Sequence, residues 1–446
     1  MTKIAMVRAR EILDSRGNPT LEAEVECEGG AIGVASVPSG ASTGSHEAHE
    51  KRDGDETRYG GRGVLQAAQN VRTEINAALH GKDVEDQTKI DRLMIELDGT
   101  EHKRRLGANA ILAASLACAR AASAAQGLPL YLYLQQLFPV QEAMPAGRQA
   151  QLPIPQMNVI NGGKHAHNKL AVQEFQVIPF RFPTFAEALR AGTEIYHALQ
   201  KLLLEANLAV GLGDEGGFDA GETALLDETE EALQFIIKAI EQAGYEPGVN
   251  VALGMDPAAS EFYDRETQTY QIDGKQLTAE DMGKTYKTWH ERYPILSIED
   301  PFEQEAWTDW KNFRQDLGAE LQVVGDDLLA TNPVRIKHGI AGKAVNAVLV
   351  KPNQIGTLTE TLGAIAMTQA AGLNVVVSHR SGETEDSFIA DLAVITAAGQ
   401  IKTGAPARSD RTSKYNRLLA IELASQAPLS QSLKLFTEKM KTRYTF

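Results

Sequence analysis

Between Pro19 and Gly40 apolar and polar residues alternate with a period of two, in "PTLEAEVECEGGAIGVASVPSG", and Gly29-Gly30 divides the run. Successive strand side chains face opposite ways, so this pattern predicts a hairpin with one buried face. The period then changes. From about Val64 to Leu79, and from Asn109 to Ala125, apolar positions recur at helical spacing and predict two helices. Residues 1–138 therefore read as a small α+β domain. Phe138 to Pro155, "FPVQEAMPAGRQAQLPIP", collects Pro, Gly and Gln and reads as a linker opening the second domain, 139–446.

Beyond the linker, short apolar runs alternate with longer helical patterns. The runs are "EFQVIP", "NLAVGLGDE", "NVALGMDPA", "ILSIEDPF", "LQVVGDD", "AVLVKPN", "NVVVSHRSG" and "GQIKTGAP". Eight such units fit an α/β fold of the (β/α)8 barrel type. A doubly wound open sheet is the alternative, weakened because no Rossmann-type glycine fingerprint follows a strand.

Polar residues end these runs: Asp256, Glu299, Asp326, Lys351, His379 and Lys402. One charged strand tip is ordinarily a solvated boundary. Six in sequential units suggest a shared mouth, because barrel strands converge at their C-terminal ends. Converging carboxylates repel each other and raise one another's pKa, which a hard cation relieves. A ligand set of oxygens, without cysteine or a matched histidine pair, favours Mg²⁺ over zinc. The competing explanation is a structural ion-pair network. Lys351, Arg380 and Lys402 would face the acids and suit a polyanionic ligand. A free lysine is neutral in about one molecule in 2,500 at pH 7, a cost of about 4.6 kcal/mol. Crowding by cations lowers that cost and predicts a depressed pKa for Lys351.

Composition narrows the classes. The net charge of −15 disfavours nucleic acid and anionic membranes as partners by bulk attraction. Cys27 and Cys118 are the only cysteines, too few for a disulfide framework, which fits a cytoplasmic location. The N-terminal stretch has no apolar core of a secretory signal. The most membrane-like segment, "ANAILAASLACARAASAAQG", is alanine-rich and broken by Arg120, so it reads as a buried helix rather than a span. "GASTG" formally matches a hydrolase nucleophile elbow, but the polar stretch after it does not supply the required context. His165 and His167 in "HAH" form at most a weak metal pair.

Taken in order, "ILDSRGNPT", "PSGASTG", "LGANAIL", "GDEGGF", "SIEDPF", "VGDD", "KPNQIGTLTET", "SHRSGETED" and "KTGAPARSDR" resemble the enolase family over nearly the whole chain. The resemblance implies a Mg²⁺-dependent hydro-lyase interconverting 2-phosphoglycerate and phosphoenolpyruvate, with two Mg²⁺ per site. It implies Lys351 as general base and Glu215 as general acid, with Glu174 supporting Glu215. Asp256, Glu299 and Asp326 become ligands of one Mg²⁺, and Ser42 reaches the other. Arg380 and Ser381 become phosphate binders and Lys402 a carboxylate binder, while His165, Gln173 and His379 complete the pocket. The lysine base and Mg²⁺-stabilised ene-diolate are a pattern already described for this superfamily. The resemblance further implies a homodimer or a larger ring, and a cytoplasmic protein with a cell-surface or secreted pool as an addition. Alternatives are an acid-sugar dehydratase or racemase of the same superfamily, and a non-catalytic scaffold. Three positions depart from the family pattern: Gln176 stands where an apolar residue is common, His167 where the family generally carries glycine, and Pro257 directly follows Asp256.

Overall fold

The hairpin predicted around Gly29-Gly30 forms. In the computed structural model, which describes residues 2–40, 44–138, 150–222 and 225–443, strands β1 (Ile4–Leu13), β2 (Pro19–Cys27) and β3 (Ile32–Ser36) make an antiparallel sheet in that order. Leu21, Ala23 and Val25 face inward and are buried. Glu22, Glu24 and Glu26 alternate with them and pair with Arg10 and Arg8 across the strands. The helical pattern after Val64 forms as Leu65–Asn70, a π turn at Val71–Ile75, and Asn76–Leu79 in direct succession.

The alanine-rich segment is the helix Ala108–Ala125, with 15 of its 18 residues buried. It is long and apolar enough to cross a membrane, but it is enclosed by protein, as a core helix is. Its small side chains let the sheet approach closely. The backbone of Gly33 lies so near the helix that a Cβ there would sit 2.2 Å from Ala117 O and from Ala121 N. Backbone atoms cannot swing aside as a side chain can. Gly33→Ala is therefore expected to destabilise the protein by about 1–3 kcal/mol, measured by thermal or urea melts. An unchanged melt would show that the helix shifts freely on the sheet.

Eight strands close the barrel: β4 (Ile154–Asn161), β5 (Glu174–Pro179), β6 (Val251–Asp256), β7 (Ile295–Glu299), β8 (Gln322–Gly325), β9 (Ala347–Val350), β10 (Asn374–Ser378) and β11 (Gly399–Lys402). Pairing of Gln400 with Ile154 and of Lys402 with Gln156 closes the ring. Two sequence expectations need correction. Ile154 and Pro155, assigned to the linker, begin the first barrel strand. "NLAVGLGDE" is not a barrel strand; it contributes Gly211–Leu212, half of a short hairpin with Phe218–Asp219 that joins the edge of β4. The prolines of "LPIP" hid a fully buried strand, while an apolar run in a turn region mimicked one.

A further departure concerns direction. β5 runs antiparallel to both β4 and β6, whereas the remaining neighbours are parallel. The first residue of β5, rather than its last, therefore lies at the mouth. Below the mouth the interior is partly polar. Gln156 donates to Gln400 at 2.6 Å, Gln400 and Gln322 exchange amide hydrogen bonds at 2.9 Å each, and Gln322 also donates to Ser297 at 3.0 Å. These buried amides satisfy one another, which removes most of the cost of placing them in a core.

Candidate active site

Lys351 follows β9 in extended conformation and caps a one-turn helix that begins at Pro352. Proline fits that first position because no N–H is needed there. Side chains two apart share a face, so Lys351 continues the row of Ala347 and Leu349, which belong to a small apolar cluster separate from the main core. Asp256, Glu299 and Lys402 end β6, β7 and β11, and Asp326 follows β8 directly. The anticipated convergence of strand tips is thus present.

Eleven of the thirteen candidate residues line one small pocket at the barrel mouth. Glu299 lies against it through Lys402, and Ser42 falls outside the described residues, as does most of "GASTG". A larger cavity lies between β1 and the 383–386 segment. It is lined by groups already engaged, such as Arg120 bound to Asp386 by two guanidinium hydrogen bonds, and it lacks the converging strand tips. The smaller cavity is therefore the candidate active site.

Its centre is a cation held by acids. Lys402 Nζ lies 2.9 Å from Asp256, 2.8 Å from each oxygen of Glu299 and 2.9 Å from Glu174. Burial favours the neutral amine, but Asp256, Glu174 and Glu299 outweigh it and hold Lys402 well above the ordinary lysine range. Burial and the charge of Asp256 push Glu299 well above the carboxylate range. Lys351 Nζ pairs with Asp326, whose other oxygen accepts from Gln354 at 2.8 Å. Burial lowers the Lys351 pKa, and Arg380 and Lys402 lower it too, yet Asp326 raises it further and the net direction is upward. The depressed lysine expected from cationic crowding is therefore corrected: a direct carboxylate partner outweighs cations farther off.

On the other side, Glu174 and Glu215 form a buried acid pair. Burial, then the charge of Glu215, drive Glu174 well above the carboxylate range. Burial acts the same way on Glu215, but the facing imidazoles and Lys402 reverse it and hold this acid low. The two neighbouring acids are thus driven in opposite directions, Glu174 up and Glu215 down. His379 and His165 stand 3.5 and 3.6 Å from the Glu215 oxygens. Burial pushes His379 down to about 3, so its ring is neutral. Its Nδ1 accepts from Arg411 at 2.5 Å, which puts the ring proton on Nε2, facing Glu215. The "HAH" pair does not act together: His165 is buried and His167 is fully exposed.

Several contributors escaped sequence reasoning. Arg411 is entirely buried and also donates to the carbonyls of Arg380 and Ser381, fixing that segment. Glu47, from the N-terminal part of the chain, binds Arg380 at 2.8 Å. Asn158 donates to Glu215 at 3.0 Å. Asp300, next to the predicted Glu299, accepts from the backbone N–H groups of Asp326 and Asp327 at 3.0 and 2.8 Å. The doublets "ED" and "DD" were visible signals for Asp300 and Asp327; Arg411 and Asn158 gave none.

These residues fit a hard divalent cation. The Lys402 ammonium already occupies a position ringed by carboxylate oxygens, where it stands in for such an ion. Asp300, Asp326 and Asp327 offer a second group of oxygens lying within 4.8 Å of one another. Burial, with Asp326 beside it, raises Asp327 to about 7, the strain that bound positive charge relieves.

Comparison with known families agrees with this arrangement. Residues 4–134 match the enolase N-terminal domain, and residues 149–432 match the enolase C-terminal TIM barrel domain. With both parts of the family represented and its acidic barrel mouth in place, this chain belongs to the enolase family of hydro-lyases.

Proposed function

We propose that the protein interconverts 2-phosphoglycerate and phosphoenolpyruvate plus water. The observation that carries this reading is one cavity with a lysine–aspartate pair, a buried acid pair and two further cations on its walls. Lys351, which must first give up the proton it holds beside Asp326, takes the α proton as the free amine; the electrons of that C–H bond form the new C=C bond. The C–O bond at the 3-position breaks, its electron pair leaves with oxygen, and Glu215 supplies the proton that makes the product water. Glu174, the acid of the pair that is driven upward, resupplies Glu215. Arg380 and Ser381 bind phosphate, and Lys402 binds the substrate carboxylate. Two Mg²⁺ ions, held by Asp256, Glu299 and Asp326 and by Ser42, would supply charge neutralisation for the doubly charged carboxylate as the α proton leaves. We read the working assembly as a homodimer, on family grounds alone.

The test is the ultraviolet absorbance of newly formed phosphoenolpyruvate from 2-phosphoglycerate, with Mg²⁺ and after chelation. Turnover that disappears with chelator and returns with Mg²⁺ is expected. No turnover with 2-phosphoglycerate, alongside turnover of a non-phosphorylated hydroxy acid, would move the assignment to an acid-sugar dehydratase.

A further inference from the structure

Gln176 is buried inside the barrel on the same face of β5 as Glu174. Its side-chain amide donates to Glu174 Oε2 at 3.0 Å. The residue paired with it on β6 is Gly254, where a Cβ would lie 2.5 Å from Gln176 Oε1. The missing side chain at Gly254 is thus what gives the amide its room. An apolar side chain of similar length would fill this space without the desolvation of an amide. The partner this amide has found is one oxygen of the acid pair; Lys402 lies 2.9 Å from the other. On the opposite side of β5, Gln176 pairs in register with Asn158, whose amide donates to Glu215 at 3.0 Å. Two neighbouring amides therefore hold the two acids, one each.

We infer that Gln176 is a positioning residue that orients Glu174 for proton delivery through Glu215. This rests on the reading above, in which the acid pair protonates the leaving hydroxyl. A carboxamide carries a donor and an acceptor at one end. Its donor holds Glu174 Oε2 while Lys402 holds Oε1, so the carboxyl is fixed from two sides in the orientation it presents to Glu215. Gln176 gives up no proton itself. Lys351 is held by Asp326 on the other wall of the cavity, so removal of the α proton does not depend on this contact.

Four proteins test it: the wild type, Gln176→Met, Gly254→Ala and the double variant. Dehydration of 2-phosphoglycerate and exchange of its α proton with deuterium are measured with Mg²⁺, and thermal melts are taken without metal. Gln176→Met is expected to slow dehydration about tenfold while exchange and the melt stay as in the wild type. Gly254→Ala, whose methyl displaces the amide, is expected to lower both the melt and the ratio of dehydration to exchange. In the double variant the flexible Met yields space, so the melt recovers but the ratio stays low. An unchanged ratio in Gln176→Met, or dehydration and exchange falling together with the melt, overturns the assignment and leaves the functional reading intact. A wild type that neither dehydrates nor exchanges overturns both, before any variant is compared. Should Gln176→Met fail to fold, Gln176→Asn withdraws the amide by one methylene and is read by the same ratio.

Discussion

In the proposed reaction, Lys351→Ala is expected to stop exchange of the α proton of 2-phosphoglycerate with solvent deuterium, and net turnover is expected to stop with it. The amine stands at the cavity wall, presented by a strand whose residues are wholly buried, and the cavity's other described lysine, Lys402, is held by Asp256, Glu299 and Glu174. A positioned base contributes about 10²–10⁴ in rate, and the carbon acid here is weak enough that water is a poor substitute. The substitution also leaves Asp326 without its ammonium. The Lys351 ammonium is the strongest influence opposing burial at that carboxyl, so its removal raises the Asp326 pKa. The control is the metal-free melt, which establishes that the variant is folded before exchange is read. Exchange retained near the wild-type rate in a folded variant would reject Lys351 as the base.

Glu215→Gln is expected to separate the two halves of the proposed reaction. Exchange at the α carbon should persist, while dehydration should fall by about 10²–10⁴, the contribution of one positioned acid. The replacement keeps the shape of the side chain, and its carbonyl can still accept from Asn158, whose amide donates to Glu215 at 3.0 Å. What it loses is the carboxyl group through which a proton can pass to the leaving hydroxyl. It also removes the negative charge that helps drive Glu174 upward, second only to burial. Glu174 in the variant therefore ionises more readily and has no acid to resupply. Equal loss of exchange and dehydration would mean that Glu215 takes part in both steps, and the division of roles would fail.

How much of this was legible beforehand depended on the kind of signal. The acids and cations at β6 to β11 were readable because each follows a short apolar run, and parallel strands bring such tips to one end. Glu174 was not readable by that rule. It begins β5, the strand that runs against its neighbours, and only its direction brings Glu174 level with Asp256. The same reversal confused the count of units, since a strand joined antiparallel to β4 needs no helix between them. Arg411 gave no sign of its role, because it sits on a helix, Ser409–Ser425, far along the chain from the His379 it binds.

Local pattern therefore determined the strand and helix character of most segments, the chemistry available at the strand tips and the family resemblance. These depend on residue order over short distances, where side-chain alternation and backbone preference act. Tertiary structure alone decided the proton distribution. Whether Lys351 is raised or lowered depends on a 25-residue gap in sequence closing to direct contact with Asp326. Charge–charge energy falls with distance through space, and burial removes the water that would screen it. Neither quantity is written along a chain.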